Sequence, residues 1–356
     1  MTEKTRHPYQ DLPKHQFWRR SVGNIDRHAF DPVVAPKFSI ARQERVATGG
    51  SCFAQHISRK LQAIGFNYLQ CEDGTGLDEP ERKSRNYGTF SARFGNLYTA
   101  RQLLQLFQRA HGRFDPVEAA WQRPDGRWAD PFRPNVEPDG FESAETMLAD
   151  RIQHLAAVKR MFADADVFIF TMGLTEGWRS RADGAIFPLA PGVVAGEYDP
   201  AKYEFANFGV HETEQDMAEF LVLLKSVNPS VKVLLTVSPV PLMATYESRH
   251  VVVATCYSKS VLRVVADSLC RRFAWVDYFP SFEIITGSYN DGAYFEADHR
   301  EVNSIGVAHA MRCFLHNYVD RGPDALAHAV PVVLPSTPGP GSELICDEEA
   351  LDQVRI

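Results

Sequence analysis

The sequence is poor in the features that announce metal, disulfide, nucleotide or membrane chemistry. Its six cysteines, Cys52, Cys71, Cys256, Cys270, Cys313 and Cys346, form no C-x-x-C pair and no ligand cluster. That argues against a disulfide-stapled extracellular scaffold and against a thiolate metal site. There is no H-E-x-x-H, no G-x-G-x-x-G after a strand and no G-x-x-x-x-G-K-[ST], so neither a metal centre nor a dinucleotide or P-loop site is expected. No apolar run reaches the roughly 20 residues that cross a bilayer. The opening Met1-Thr2-Glu3-Lys4 is polar, and a cytoplasmic protein is expected. Excess positive charge is also missing: 38 Lys and Arg stand against 45 Asp and Glu, a formal charge of -7. A nucleic-acid partner would need a local basic patch, and near the N-terminus the only adjacent basic pair is Arg19-Arg20, so no such partner is expected.

What is present is apolar material in alternating patterns. A chain of 356 residues with 44% apolar composition can bury a large core. Arg45-Val46-Ala47-Thr48 reads as a strand running into two glycines, and Phe53, Ile57, Leu61 and Ile64 then recur at helical spacing up to Gly65. Further helical stripes are Leu97 to Phe107, Leu148 to Phe162, Met217 to Leu224, Val261 to Leu269 and Val307 to Phe314. Thr213 with Asp216 resembles a capping box ahead of the third of these. Asp166 to Thr171, Val231 to Thr236 and Ala274 to Asp277 read as strands, the first apolar without alternation, as in a parallel sheet buried on both faces. Strands alternating with helices imply right-handed crossovers and one α/β domain. The expected organisation is an N-terminal arm over 1–40, a domain over 41–320 with insertions near 121–140 and 179–209, and a Pro-rich tail over 321–356. The first insertion carries Pro124, Pro131, Pro134 and Pro138 and reads as a long ordered excursion or an inserted hairpin; the second reads as loop-rich.

Ligands of such sheets sit where loops leave the C-terminal strand ends, and Ser51 falls at one of them. A serine attacks only when exposed and when a base takes its proton. Gly49-Gly50-Ser51 permits a sharp bend that clears space around the hydroxyl, and an adjoining helix N-terminus offers backbone N–H groups to an oxyanion. The competing explanation is a helix N-cap. Cys52 is a rival nucleophile whose neighbour Phe53 begins the core stripe. For the base, Glu296-Ala297-Asp298-His299 supplies an imidazole and carboxylates, with His299 ranked first. His309 is the competing base, although it reads as a surface histidine turned away from its helix's apolar stripe, and His250 and His211 are further candidates with no distinguishing neighbour. Gly173-Leu174-Thr175-Glu176 and Gly95-Asn96 can present oxyanion donors, or else simply make turns and caps.

Several segments, in order, resemble one family. Gly50-Ser51-Cys52-Phe53-Ala54 spells the signature of the GSCFA family. It is followed by Phe94-Gly95-Asn96-Leu97-Tyr98-Thr99, Thr171 to Glu176 with Trp178, Ser238-Pro239-Val240, Ser258-Lys259 and Asp277-Tyr278-Phe279-Pro280-Ser281. That family resembles a divergent branch of the SGNH/GDSL hydrolase superfamily. The resemblance implies a three-layer α/β/α sandwich with a parallel, flavodoxin-like sheet and a nucleophilic serine near the N-terminus. By the same likeness Ser51 is the nucleophile, Gly95 or Asn96 and Gly173 with Thr175 are the oxyanion donors, and the closing D-x-x-H block falls near Asp298. Thr175 stands where that superfamily has asparagine. Counting from Asp298 puts Glu301 in the histidine place, whereas Glu296 and His299 keep the spacing as E-x-x-H. The implied activity is a serine esterase or O-acyltransferase acting on an acylated carbohydrate or another small-molecule ester. No cofactor is expected, save an acyl-coenzyme A donor if the protein is a transferase. The alternative is an inactive protein that binds a glycan or partner in the same cleft.

Overall fold

The computed structural model describes residues 7–320 and Asp347. After α1 (Trp18–Ser21) come β1 (Val46–Gly50), α2 (Ala54–Ala63), α3 (Glu79–Ser84) and α4 (Ala100–Ala110). The hairpin β2 (Trp121–Gln122) and β3 (Trp128–Ala129) precedes α5 (Ala144–Asp164), β4 (Val167–Met172), β5 (Glu176–Ser180), β6 (Ile186–Phe187) and β7 (Tyr203–Asn207). Then follow α6 (Val210–Val227), β8 (Lys232–Val237), α7 (Val251–Arg272), β9 (Val276–Tyr278), α8 (Ser281–Thr286) and α9 (Ser304–Tyr318). The expected proline-rich tail lies outside the described residues except for Asp347.

The central sheet is parallel, in the order β1-β4-β8-β9. Its strands are apolar on both sides because both sides are covered. Phe168, Phe170, Met172, Val233, Leu235 and Val237 pack with α4, α5, α6 and α7, while Val167, Ile169 and Leu234 pack with α2, α8 and α9. Tyr68 makes a parallel bridge to Val46 on the outer edge of β1, with Leu69 N–H donating to Val46 O at 2.9 Å. The chain therefore steps outward after β1 and crosses back to β4, so the strand order reverses between these two. Such a reversal opens a crevice at the carboxyl ends of the strands, and Ser51 lies there.

Two expectations change. The stretch near 179–209 expected to be loop-rich holds the end of β5 together with β6 and β7, which form a separate antiparallel sheet in the order β6-β5-β7. Its strands are short and mix polar with apolar residues, so no run of apolar positions announced them. Thr213 and Asp216 do not cap α6, which already begins at Val210. Glu212 accepts the Gly209 N–H at 3.0 Å, and Asp216 is buried against Arg101 Nε at 2.8 Å.

The proline-rich excursion near 121–140 holds the hairpin, and it is fastened by charge. Asp130 accepts from Arg133 Nε at 2.8 Å and from Arg151 Nη2 at 2.7 Å, all buried. Arg93, fully buried, donates to Val136 O at 2.9 Å and to Asp150 at 3.0 Å. Burial would raise the Asp130 pKa, but Arg151 and Arg133 overcome that and hold it far below the carboxylate range. Asp130→Ala, which strands two buried guanidinium groups, is expected to cost about 3–5 kcal/mol. The depressed pKa puts the stabilisation above the unfolded-state value of about 4, and it fades as pH falls below that. Thermal melts of both proteins should therefore converge as pH drops below about 4; a constant gap at all pH values would remove the charge pairing as its cause.

Candidate functional site at the β1 and β4 strand ends

Gly50 makes the bend that ends β1. Its φ is +131°, and a Cβ there would lie 2.3 Å from Thr171 O, so only glycine fits beside β4. The Ser51 N–H donates to that same Thr171 O at 3.1 Å, and Gly50 O accepts from Leu97 N–H at 2.9 Å. Gly173 closes the other side: a Cβ on it would stand 3.0 Å from Ser51 Cβ and 3.2 Å from Tyr98 Cα. Its N–H and that of Leu174 both donate to Tyr98 O, at 3.0 and 3.1 Å. The signature segments at 50–54, 94–99 and 171–176 thus meet around one serine side chain.

Ser51 is not a helix cap. α2 begins at Ala54, with Phe53 in the N-cap position and no side-chain cap. Nor is Ser51 bare: the residue is 3% exposed, and Ser51 Oγ, like Thr171 Oγ1 nearby, is buried without a hydrogen-bond partner. The expected exposure is corrected by the close packing of Gly173 and Tyr98 over the bend. Cys52 belongs to the apolar cluster of α2 and α9 with Phe53 and Ile57, which leaves the bend to the serine.

Of the expected oxyanion donors around this bend, Asn96, Gly173 and Thr175 are already engaged. Thr175 Oγ1 donates to Asn207 Oδ1 at 2.7 Å, and Thr175 N–H to Ser258 Oγ at 3.0 Å. Asn96 Nδ2 donates to the carboxyl of Asp347 at 2.9 Å, and Gly95, at φ +70°, lies with its Cβ direction 3.9 Å from the same group. Asn135 Nδ2 holds the other Asp347 oxygen at 2.8 Å. Burial raises the Asp347 pKa, against the pull of Asn135 and Asn96. An acidic oxygen therefore sits on the amide that the sequence singled out as an oxyanion donor.

The histidines stand elsewhere. His299 is exposed on a turn, in the left-handed region at φ +56°. Asp298 Oδ1 accepts from the N–H groups of Arg300 and Glu301, both at 3.0 Å, and so caps that turn rather than an imidazole. Glu296 is exposed beside them, and His250 caps α7 by accepting from Val252 N–H at 3.2 Å. His211 is exposed near the start of α6. His309 is not on the surface, because the N-terminal arm covers it: Nε2 meets Phe30 O and Nδ1 meets Tyr294 OH, both at 2.6 Å. With both ring nitrogens held, His309→Ala is expected to cost about 2–3 kcal/mol and to leave Ser51 reactivity unchanged. A melt beside a labelling assay checks this, and lost labelling in a stable variant would restore His309 as the base.

Two basic residues at this end of the molecule were given no role by the sequence reading. Lys259, buried on α7, donates from Nζ to Gly173 O, the carbonyl of the residue packed on Ser51. Its signal was the Ser258-Lys259 pair, which carries no chemistry until the fold brings α7 to β4. His56, in the first turn of α2, packs on Phe53 at 5.3 Å between ring centroids. Burial, with help from Arg59, lowers its pKa to about 4.

The sequence profile of the GSCFA family matches residues 45–314. The chain belongs to the GSCFA family. No curated protein matches it. The family match covers every signature segment that the geometry gathers, from the bend at Ser51 to Ser258-Lys259 and the segment Asp277 to Ser281. In this GSCFA chain the last of these is structural. Ser281 Oγ donates to Val237 O at 3.0 Å, and Asp277 accepts from Lys37 N–H at 2.8 Å and Tyr318 OH at 3.0 Å. No helix among the described residues is long and apolar enough to cross a membrane.

Proposed function

We propose that this GSCFA protein is a serine-dependent esterase or O-acyltransferase whose nucleophile is Ser51, in an arrangement related to the SGNH/GDSL superfamily and its flavodoxin-like strand order. One observation carries this reading: Ser51 Oγ is buried without a hydrogen-bond partner at the point where the strand order reverses. An unsatisfied buried hydroxyl costs about 1–3 kcal/mol, and such a group calls for a reason other than folding. Gly50 and Gly173 both lack the side chain that would clash there.

In the reaction Ser51 Oγ bonds to the acyl carbon while its proton passes to a base. The ester C–O bond then breaks, and the leaving alcohol takes a proton. Water, or a second alcohol in a transferase, completes the cycle by the reverse steps. A serine–lysine pairing is an established variant of this chemistry, and Lys259 Nζ is bonded to the carbonyl of Gly173, the residue packed on Ser51. Lys259 is accordingly the base candidate at the bend, with His299 the candidate that must swing in from its turn. The packing of Gly173 and Tyr98 over Ser51 has to part for a substrate to enter. An acylated carbohydrate remains the substrate class implied by the resemblance, with an acyl thioester as the donor of a transferase.

The second reading is a binding protein without turnover, favoured by the sealed hydroxyl and by the prior engagement of Asn96 and Thr175. A fluorophosphonate probe separates the two. The esterase reading expects one adduct, mapped by peptide mass spectrometry to Ser51, that is slowed in either Lys259→Met or His299→Ala. An intact protein that takes up no probe, or takes it up at another residue, sinks the assignment.

A further inference from the structure

Between the antiparallel sheet and the loops that follow β4 and β8 lies a cavity of about 350 Å³. Tyr98 and Leu174 line it, and both belong to the layer that packs over Ser51 through Gly173. Its far wall is aromatic. Trp178 is held edge-on by Tyr246 at 4.9 Å and Tyr198 at 5.3 Å between centroids, with Phe205 at 6.0 Å. The indole is thus fixed before any ligand arrives, and the cavity is largely preformed. Tyr246 and Tyr198 remain 63% and 45% exposed, which places the mouth at their edge.

The lining decides the ligand class. It contains no Lys, Arg or His, and its single charged residue is Glu176. Glu176 Oε1 accepts from Thr245 Oγ1 at 2.7 Å, and burial raises its pKa. A phosphate or carboxylate inside would meet a carboxyl group and no cation. The remaining surface is mostly apolar, from Leu174, Leu189 and Leu242 to the rings.

We propose that this cavity holds the apolar acyl chain of an uncharged ester, which rests on the reading of Ser51 as its nucleophile. The chain runs along Leu174 and Tyr98 to Trp178, and its carbonyl end lies toward Gly173. Each buried methylene is worth about 0.8 kcal/mol, or about fourfold in binding.

The experiment uses methyl ketones from 2-butanone to 2-decanone, which keep the shape of an ester but cannot be cleaved. Calorimetry on the full chain and on Ser51→Ala should show affinity rising about fourfold per methylene in both. Ala190→Trp, which fills the cavity, should flatten the series. Tyr246→Ala, which removes one of the rings that fix Trp178 in the far wall, should weaken the long ketones more than 2-butanone. A flat series in the wild-type protein, or tighter binding of a methyl hexopyranoside or inorganic phosphate than of 2-decanone, overturns the assignment. Turnover of p-nitrophenyl acetate through octanoate runs in parallel. Ester cleavage by Ser51 without chain-length preference would refute the cavity and keep the nucleophile. Graded ketone binding without any cleavage would refute the nucleophile and leave an acyl-binding cavity.

Discussion

Ser51→Ala is expected to abolish ester cleavage and phosphonate labelling by at least about a thousandfold, while leaving the melting temperature unchanged or slightly higher. The two halves of this result are linked. Ser51 Oγ accepts and donates no hydrogen bond, so alanine loses nothing the fold uses. Removing an unsatisfied buried oxygen relieves a desolvation cost of about 1 kcal/mol or more. The Cβ that packs toward Gly173 is retained, so no cavity beyond one oxygen opens. A structural serine behaves in the opposite way, with stability lost and no activity to lose. Steady-state kinetics beside differential scanning calorimetry tells them apart. A variant that melts several degrees lower and labels as before would show that the hydroxyl serves packing, not chemistry.

Gly50→Ala is the largest expected stability effect. At φ +131° any side chain is strained, and here the added carbon would stand 2.3 Å from Thr171 O and 2.7 Å from Thr171 N. Those atoms are backbone of the central strand β4, in register with Gly50 across the sheet. Relief would need β1 to move off β4, which breaks the parallel ladder from Val46 onward. A cost of more than about 4 kcal/mol is expected, enough to prevent accumulation of folded protein. Gly49→Ala is the control. Its Cβ would meet only ring atoms of Phe94 and Phe168, the nearest at 3.3 Å, and those rings can shift by tenths of an ångström. Denaturant melts of both variants measure the difference. Equal stability would mean that the bend adapts and that its geometry is not what reserves the space around Ser51.

The strands of the central sheet could be read from unbroken apolar runs because a strand buried on both faces needs no polar side. Val167 to Met172 and Lys232 to Val237 differ from the expected bounds by a single residue. The antiparallel sheet of β5, β6 and β7 left no such trace, since its longer strands are half-covered and hold charged pairs such as Arg179 with Glu204. Asp130 and its arginines looked like solvated loop residues, as charged side chains usually are. Their burial became evident only once α5 supplied Arg151.

By itself the sequence determined the parallel α/β architecture and the serine at a glycine bend. Apolar periodicity and the absence of a side chain are local properties that any fold of this chain must honour. Which groups face that serine was decided by tertiary structure. Gly173 and Tyr98, which pack over it, and Lys259 and Asp347, which bond to Gly173 O and Asn96, come from distant stretches, and His299, adjacent to the acids that suggested its role, is turned to solvent. Side-chain neighbours across a crevice depend on how strands register and helices pack, and spacing along one segment does not contain that information.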